Sequence, residues 1–320
     1  MTTDQTGRDR RTAGLRLKAP LLLLLFGTVM GSAYALARFT TEAGVPPLSF
    51  VFWQCFGGFV GVSLTVVLAR RPVVLGRRAL GFYLGNGLLG LTLPYIASML
   101  AVPHIGAGLP AVLMALSAVF TYLFAVLLGM ERFRALRAAG LVAGVAGAAL
   151  IVIGGRGIDV GPGGATGVGL VLWTLVATLA PMCTAGGNIF RARFWPAGID
   201  AAVMSAGMLF MASVTLLPLV LIDGLAIPGI GVAAGLPGWI LIGQGALTAI
   251  AYLAFFELQR IAGVIYFAQV GFIMTGTGLV WGVLVFGERY GSVVWLGVGL
   301  LAAGLLFYNL GLRRIAAKGH

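Results

Sequence analysis

Long apolar runs, each ended by charged residues or by a Pro/Gly cluster, divide this chain into ten stretches. They fall at roughly 19–38, 48–69, 79–100, 106–129, 137–155, 166–190, 200–222, 238–259, 263–286 and 292–312. Most are close to the ~20 residues that an α-helix needs to cross the hydrocarbon of a bilayer. None has the period-two alternation of a half-buried strand. The pattern predicts an all-α polytopic membrane protein with ten transmembrane helices. The third and fourth stretches lie closest together, divided by Pro103, His104, Gly106 and Gly108.

Composition sharpens this reading. Of the 320 residues 60% are hydrophobic and 9% charged, against about 25% charged in a soluble domain, so a water-soluble fold is excluded. The 50 glycines suit helices that approach backbone to backbone. The pairs Gly27/Gly31, Gly57/Gly61, Gly140/Gly144 and Gly278/Gly282 have the spacing for such contacts. Cys55 and Cys183 lie within apolar stretches, away from any second cysteine or histidine at metal-ligand spacing. Neither a metal nor a cofactor is implied.

A net charge of +12 would suggest nucleic acid in a soluble protein, but its placement argues for membrane topology. Basic residues of short loops stay on the cytoplasmic side. With an N-in, C-in orientation, only Arg38, Arg156 and Arg289 of the 21 basic residues fall outside. The bilayer, and no nucleic acid, is the expected partner of this charge. The first stretch has features of a secretory signal, with basic residues to Lys18 and small ones at Ala33, Ala35 and Ala37. Because its apolar run continues to Arg38, it is read as a retained helix.

An internal repeat organises the spans. Glu131-Arg132-Phe133 follows the fourth and Glu288-Arg289-Tyr290 the ninth, 157 positions apart. In the same register Gly140 matches Gly297, Gly147 matches Gly304, Tyr95 matches Tyr252 and Gly106 matches Gly263. The expected organisation is a basic tail over 1–18, a first five-helix repeat over 19–155, an outer linker over 156–165, a second repeat over 166–312 and a tail over 313–320. Five spans is an odd number, so the second repeat enters the membrane upside down. Inverted repeats with a site near the midplane between them are an architecture of secondary transporters.

Ten spans in two halves, with Gly129-Met130-Glu131 and Phe286-Gly287-Glu288 closing the fourth helix of each, resemble the drug/metabolite transporter superfamily and its EamA-type exporters. Met130 departs from the Gly-Glu pair of that pattern. The resemblance implies export of small metabolites, such as amino acids or their analogues, across a bacterial inner membrane by alternating access.

Polar side chains inside spans are costly against lipid and face the bundle interior or a cavity. Tyr34, Gln54, Asn86, Tyr95, Asn188, Gln244, Tyr252 and Gln269 are therefore candidate substrate contacts, with Trp173 and Trp281 as stacking surface. The competing reading is that each only ties one helix to the next. Tyr95 and Tyr252 stand out as a symmetric pair at mid-span depth. No acid lies at the centre of a span; Glu257, with Arg260 three residues on, is the deepest, a candidate for proton coupling or for an interfacial ion pair. Arg38 is expected to reach the headgroups, and Glu131 and Glu288 to favour the N-termini of the helices that follow. Pro94 and Pro181 are candidate hinges.

The expected function is a secondary transporter of small organic molecules. A membrane-embedded enzyme is disfavoured by the scarcity of convergent acids, histidines and metal ligands. A passive channel would not need two exchanging states. A second copy of the chain is a candidate partner.

Overall fold

The computed structural model describes residues 3–131, 135–154, 165–267 and 270–316. Every regular element among them is helical. In order these are α1 (Thr3–Glu42), α2 (Pro47–Leu68), α3 (Arg77–Gly87), a π-helical turn (Leu88–Thr92), α4 (Leu93–Ile105), α5 (Gly108–Leu113), α6 (Leu116–Leu127), α7 (Ala135–Gly154), α8 (Val168–Phe194), α9 (Ala201–Asp223), a 3-10 turn (Gly231–Ala233), α10 (Leu236–Phe267), α11 (Val270–Leu284) and α12 (Ser292–Ala316). Among the described residues seven helical stretches are long and apolar enough to cross a bilayer: Lys18–Glu42, Pro47–Leu68, Arg77–Ile105, Gly108–Leu127, Val168–Phe194, Ala201–Asp223 and Leu236–Gly263. The other three expected spans fall on α7, α11 and α12.

Helix boundaries follow local chemistry. Pro47 opens α2 at a position whose N–H would have no helical partner. The Asp200 carboxylate accepts from the Ala202 N–H at 2.8 Å and caps α9. Gly106 ends α4 at φ 77° and ψ 175°, and Gly263 interrupts α10 at φ 80° and ψ 163°. These are the two glycines matched at the 157-residue offset, and they adopt the same left-handed, extended-ψ conformation, open to glycine because it has no Cβ. The Met130 departure has a similar explanation. Gly129, at φ 67°, makes in the first half the turn that Gly287, at φ 64°, makes in the second.

Helices distant in sequence pack in pairs. α1 lies against α10 and α11, while α8 lies against α4 and α6; α2 packs on α9, and α7 on α12. Glycines set these contacts. A Cβ on Gly57 would lie 2.7 Å from the Gly245 Cα, one on Gly61 2.6 Å from the Ala249 Cβ, and one on Gly31 2.9 Å from the Met274 carbonyl oxygen. Such closeness suits an apolar solvent, where helices associate through van der Waals contact rather than by escaping water.

These contacts also fix the sense of the helices. α2 and α10 run parallel, because Gly57 meets Gly245 and Gly61 meets Ala249. α3–α4 and α9 run parallel as well: Tyr83 packs at Gly207, and Thr92 bonds Thr215 at 3.0 Å. α2 is antiparallel to α3–α4, since Gln54 bonds Tyr95 while Val66 lies near Leu80 and Tyr83.

Candidate substrate site

Between α4 and α10, Tyr95 and Tyr252 bring their hydroxyls to 3.4 Å, 157 positions apart in sequence. The Tyr95 hydroxyl also donates to the Met30 sulfur at 2.9 Å and accepts from the Gln54 amide at 3.3 Å. The Gln54 carbonyl oxygen is buried without a partner. Phe26, Phe255 and Phe267 form an aromatic wall beside the tyrosines, with ring centroids 4.7–5.4 Å apart. The space between them is about 40 Å³, room for a few waters at most, so the centre of the bundle is nearly filled by side chains.

Arg191 enters the same cavity from α8. It is 1% exposed. Its Nη1 donates to the Asn86 carbonyl oxygen at 2.6 Å, its Nη2 to that of Asn188, and its guanidinium lies 5.0 Å from the Phe255 ring centroid. The two amides are held in turn: Asn188 donates to Thr121 at 3.0 Å, and Asn86 to the Met208 sulfur at 3.1 Å. Space for the guanidinium comes from the π-helical turn ahead of Pro94. Pro94 has no N–H to give the preceding turn, and the widened turn carries Gly90, where a Cβ would stand 2.9 Å from Nη1. Single π turns of this kind recur at functional sites.

One end of the bundle is tied across the halves. Arg38 of α1 pairs with Glu288, which is 3% exposed, and lies 4.5 Å from the Phe286 ring centroid. The Glu288 carboxylate accepts from the backbone N–H of Ala107 at 2.9 Å and Gly108 at 3.4 Å, and from the Tyr290 hydroxyl. Burial first, and then the Glu288 charge, push the Tyr290 phenol well above its ordinary range, so it stays a protonated donor. The other end is looser. A vestibule of about 920 Å³ opens between the starts of α3 and the end of α8, lined by Arg78, Phe82, Phe190, Arg193 and Trp195 among others. Phe82 and Phe190 stack at 5.7 Å along its wall, one residue from Arg191.

Residues 17–153 match the EamA-like transporter family. The chain carries an EamA-like transporter domain. That family is one of membrane transporters, and the segment it matches lies among helices long and apolar enough to cross a bilayer. A crystal structure of another protein, 18% identical, aligns over 94% of this chain and 97% of its own with a TM-score of 0.61, a likeness of fold. Among curated proteins none matches the chain.

The expected site residues separate into groups. Tyr95, Tyr252 and Asn188 line the central cavity, with Gln54 and Asn86 bonded to residues that do. Pro94 lines it too; Pro181 is buried inside α8. Tyr34 is buried on α1 and bonds Ser98. Gln244 is buried on α10 with neither amide atom partnered. The tryptophans stand apart from the cavity: Trp173 stacks on His104 at 4.0 Å, and Trp281 donates to Ser32 at 2.9 Å. Glu257 sits at the vestibule end of the bundle, paired with Lys18 at 3.0 Å and Arg260 at 2.7 Å. Gln269 lies outside the described residues.

Three positions depart from expectation. Arg191 reads in sequence as a loop cation, but α8 continues to Phe194, so Arg191 lies one turn inside it. The clue was its spacing from Asn188, three residues away on one helix face. Arg38 turns inward to Glu288 rather than to headgroups, and Glu288 caps backbone at Ala107 and Gly108 instead of the helix that follows it.

Proposed function

We propose that this protein exports small organic metabolites, amino acids or their analogues, across a bacterial inner membrane by alternating access. In this reading ten helices form two inverted repeats, N-in and C-in, around the Tyr95–Tyr252 cavity. The meeting of these matched tyrosines over a small central cavity carries it. Helix sense supports it too: the second helix of each half runs with the third helix of the other. Two halves related in this way have two nearly equivalent packings, one open to each side. The Arg38–Glu288 end is then the closed outer side, and the vestibule faces the cytoplasm.

The test is counterflow in proteoliposomes across a panel of amino acids, with and without a proton gradient. Saturable exchange that Tyr95→Ala and Tyr252→Ala each reduce, at unchanged expression, is the expected result. Non-saturable flux would point to a channel instead. Labelling of single cysteines placed at positions 74 and 229 tests orientation; only the second should react from outside.

A further inference from the structure

Among the described residues, a cation stands at the centre of this bundle with no acid to answer it. Arg191 is 1% exposed, and among the described residues no carboxylate pairs with it or lines the cavity. A buried charge costs several kcal/mol unless paired, and two amide oxygens and one aromatic face offset only part of that. Of its donors, Nε–H is buried without a partner. A guanidinium offers a planar fork that matches a carboxylate, and here one prong is vacant. A structural cation that merely reached for the interface would show an exposed head; this one is sealed beside the tyrosines.

We infer that Arg191 anchors the carboxylate of the transported molecule, whose apolar body lies against Phe26, Phe255 and Phe267. This rests on the transport reading above and names the chemical class of its substrate. A single anionic group is favoured over a phosphate dianion, because one guanidinium neutralises one charge and the rest of the lining is neutral. The cavity of about 40 Å³ must widen to admit such a molecule, so binding accompanies a rearrangement of the bundle.

The full chain in detergent, followed by thermal unfolding, tests this with four probes: 3-phenylpropionate, L-phenylalanine, 2-phenylethylamine and 3-phenylpropanol. Half-saturation for the two carboxylates should come at roughly ten- to a hundredfold lower concentration than for the amine or the alcohol. Arg191→Gln should erase that preference while leaving the alcohol unchanged, and Arg191→Lys should keep part of it. A general packing defect would weaken all four alike. The assignment is overturned if wild-type protein does not prefer the acids, or if Arg191→Gln still does. Should Arg191→Gln not fold, the wild-type ranking decides alone. Counterflow separates the two readings: saturable exchange of solutes without preference for acids sinks the anchor alone, whereas acids that bind but are never exchanged sink the transport reading alone.

Discussion

Arg38 on α1 and Glu288 before α12 meet across 250 positions of sequence, with Glu288 holding the backbone of Ala107 and Gly108 at the same time. One carboxylate therefore joins α1, the α4–α5 turn and the end of α11. Removing one partner leaves Arg38 with the exposed Glu42, at 2.8 Å, or Glu288 with its backbone and Tyr290 donors, so the cost falls below the roughly 3–5 kcal/mol of a buried charge left wholly unpaired. Glu288→Gln and Arg38→Gln should each lower the unfolding temperature. The double variant should be less damaged than the sum of the two, a positive coupling readable in a double-mutant cycle. Additive losses would mean that the pair does not act as a unit.

At the centre, the tyrosine hydroxyls contribute through bonds between helices that typically stabilise membrane bundles by about 0.6–1.7 kcal/mol. Tyr95→Phe should therefore change stability little, yet it removes a donor to Met30 and an acceptor for Gln54. The expected result is a nearly unchanged unfolding temperature with altered substrate half-saturation. A large drop in stability with transport intact would make Tyr95 a packing residue only.

Much of this centre was legible in the chain. The 157-residue register picked out Tyr95 with Tyr252, whose hydroxyls meet, and Gly106 with Gly263, which share one backbone conformation that only glycine adopts freely. The small-residue spacing of Gly57 and Gly61 showed where backbones approach, since nothing larger than hydrogen fits against Gly245. Arg191 and Glu288 were not legible in the same way. Each lies at the end of an apolar run, where only the path of neighbouring helices decides whether a charge meets water or a partner, and those neighbours come from distant sequence. Glu288 finds Ala107 and Gly108 about 180 residues away.

Helix approach gives a test with an internal control. A Cβ at Gly57 or Gly245 would fall within 3 Å of the opposing backbone, whereas none at Gly243 meets anything within 4 Å. Gly57→Val and Gly245→Val should each force α2 from α10, at about 1–3 kcal/mol or more for overpacking. Gly243→Ala, two residues away on the same helix, should be neutral or mildly stabilising. Unfolding temperatures of purified variants check this, and equal losses at 243 and 245 would count against the observed register.

Glu257 separates an electrostatic tie from a coupling device. Its carboxylate bonds Lys18 and Arg260 at the vestibule end, where the cations are half exposed or more, so screening limits each pair to about 1 kcal/mol or less. Among the described residues no hydrogen-bonded chain links Glu257 to the cavity tyrosines: its partners, Lys18 and Arg260, both lead outward. Glu257→Gln should lower stability slightly and leave gradient-driven uptake in place, with the small effect fading as salt is raised. If uptake in the variant becomes indifferent to the proton gradient while counterflow persists, Glu257 carries the coupling proton and the ion pair is its resting state.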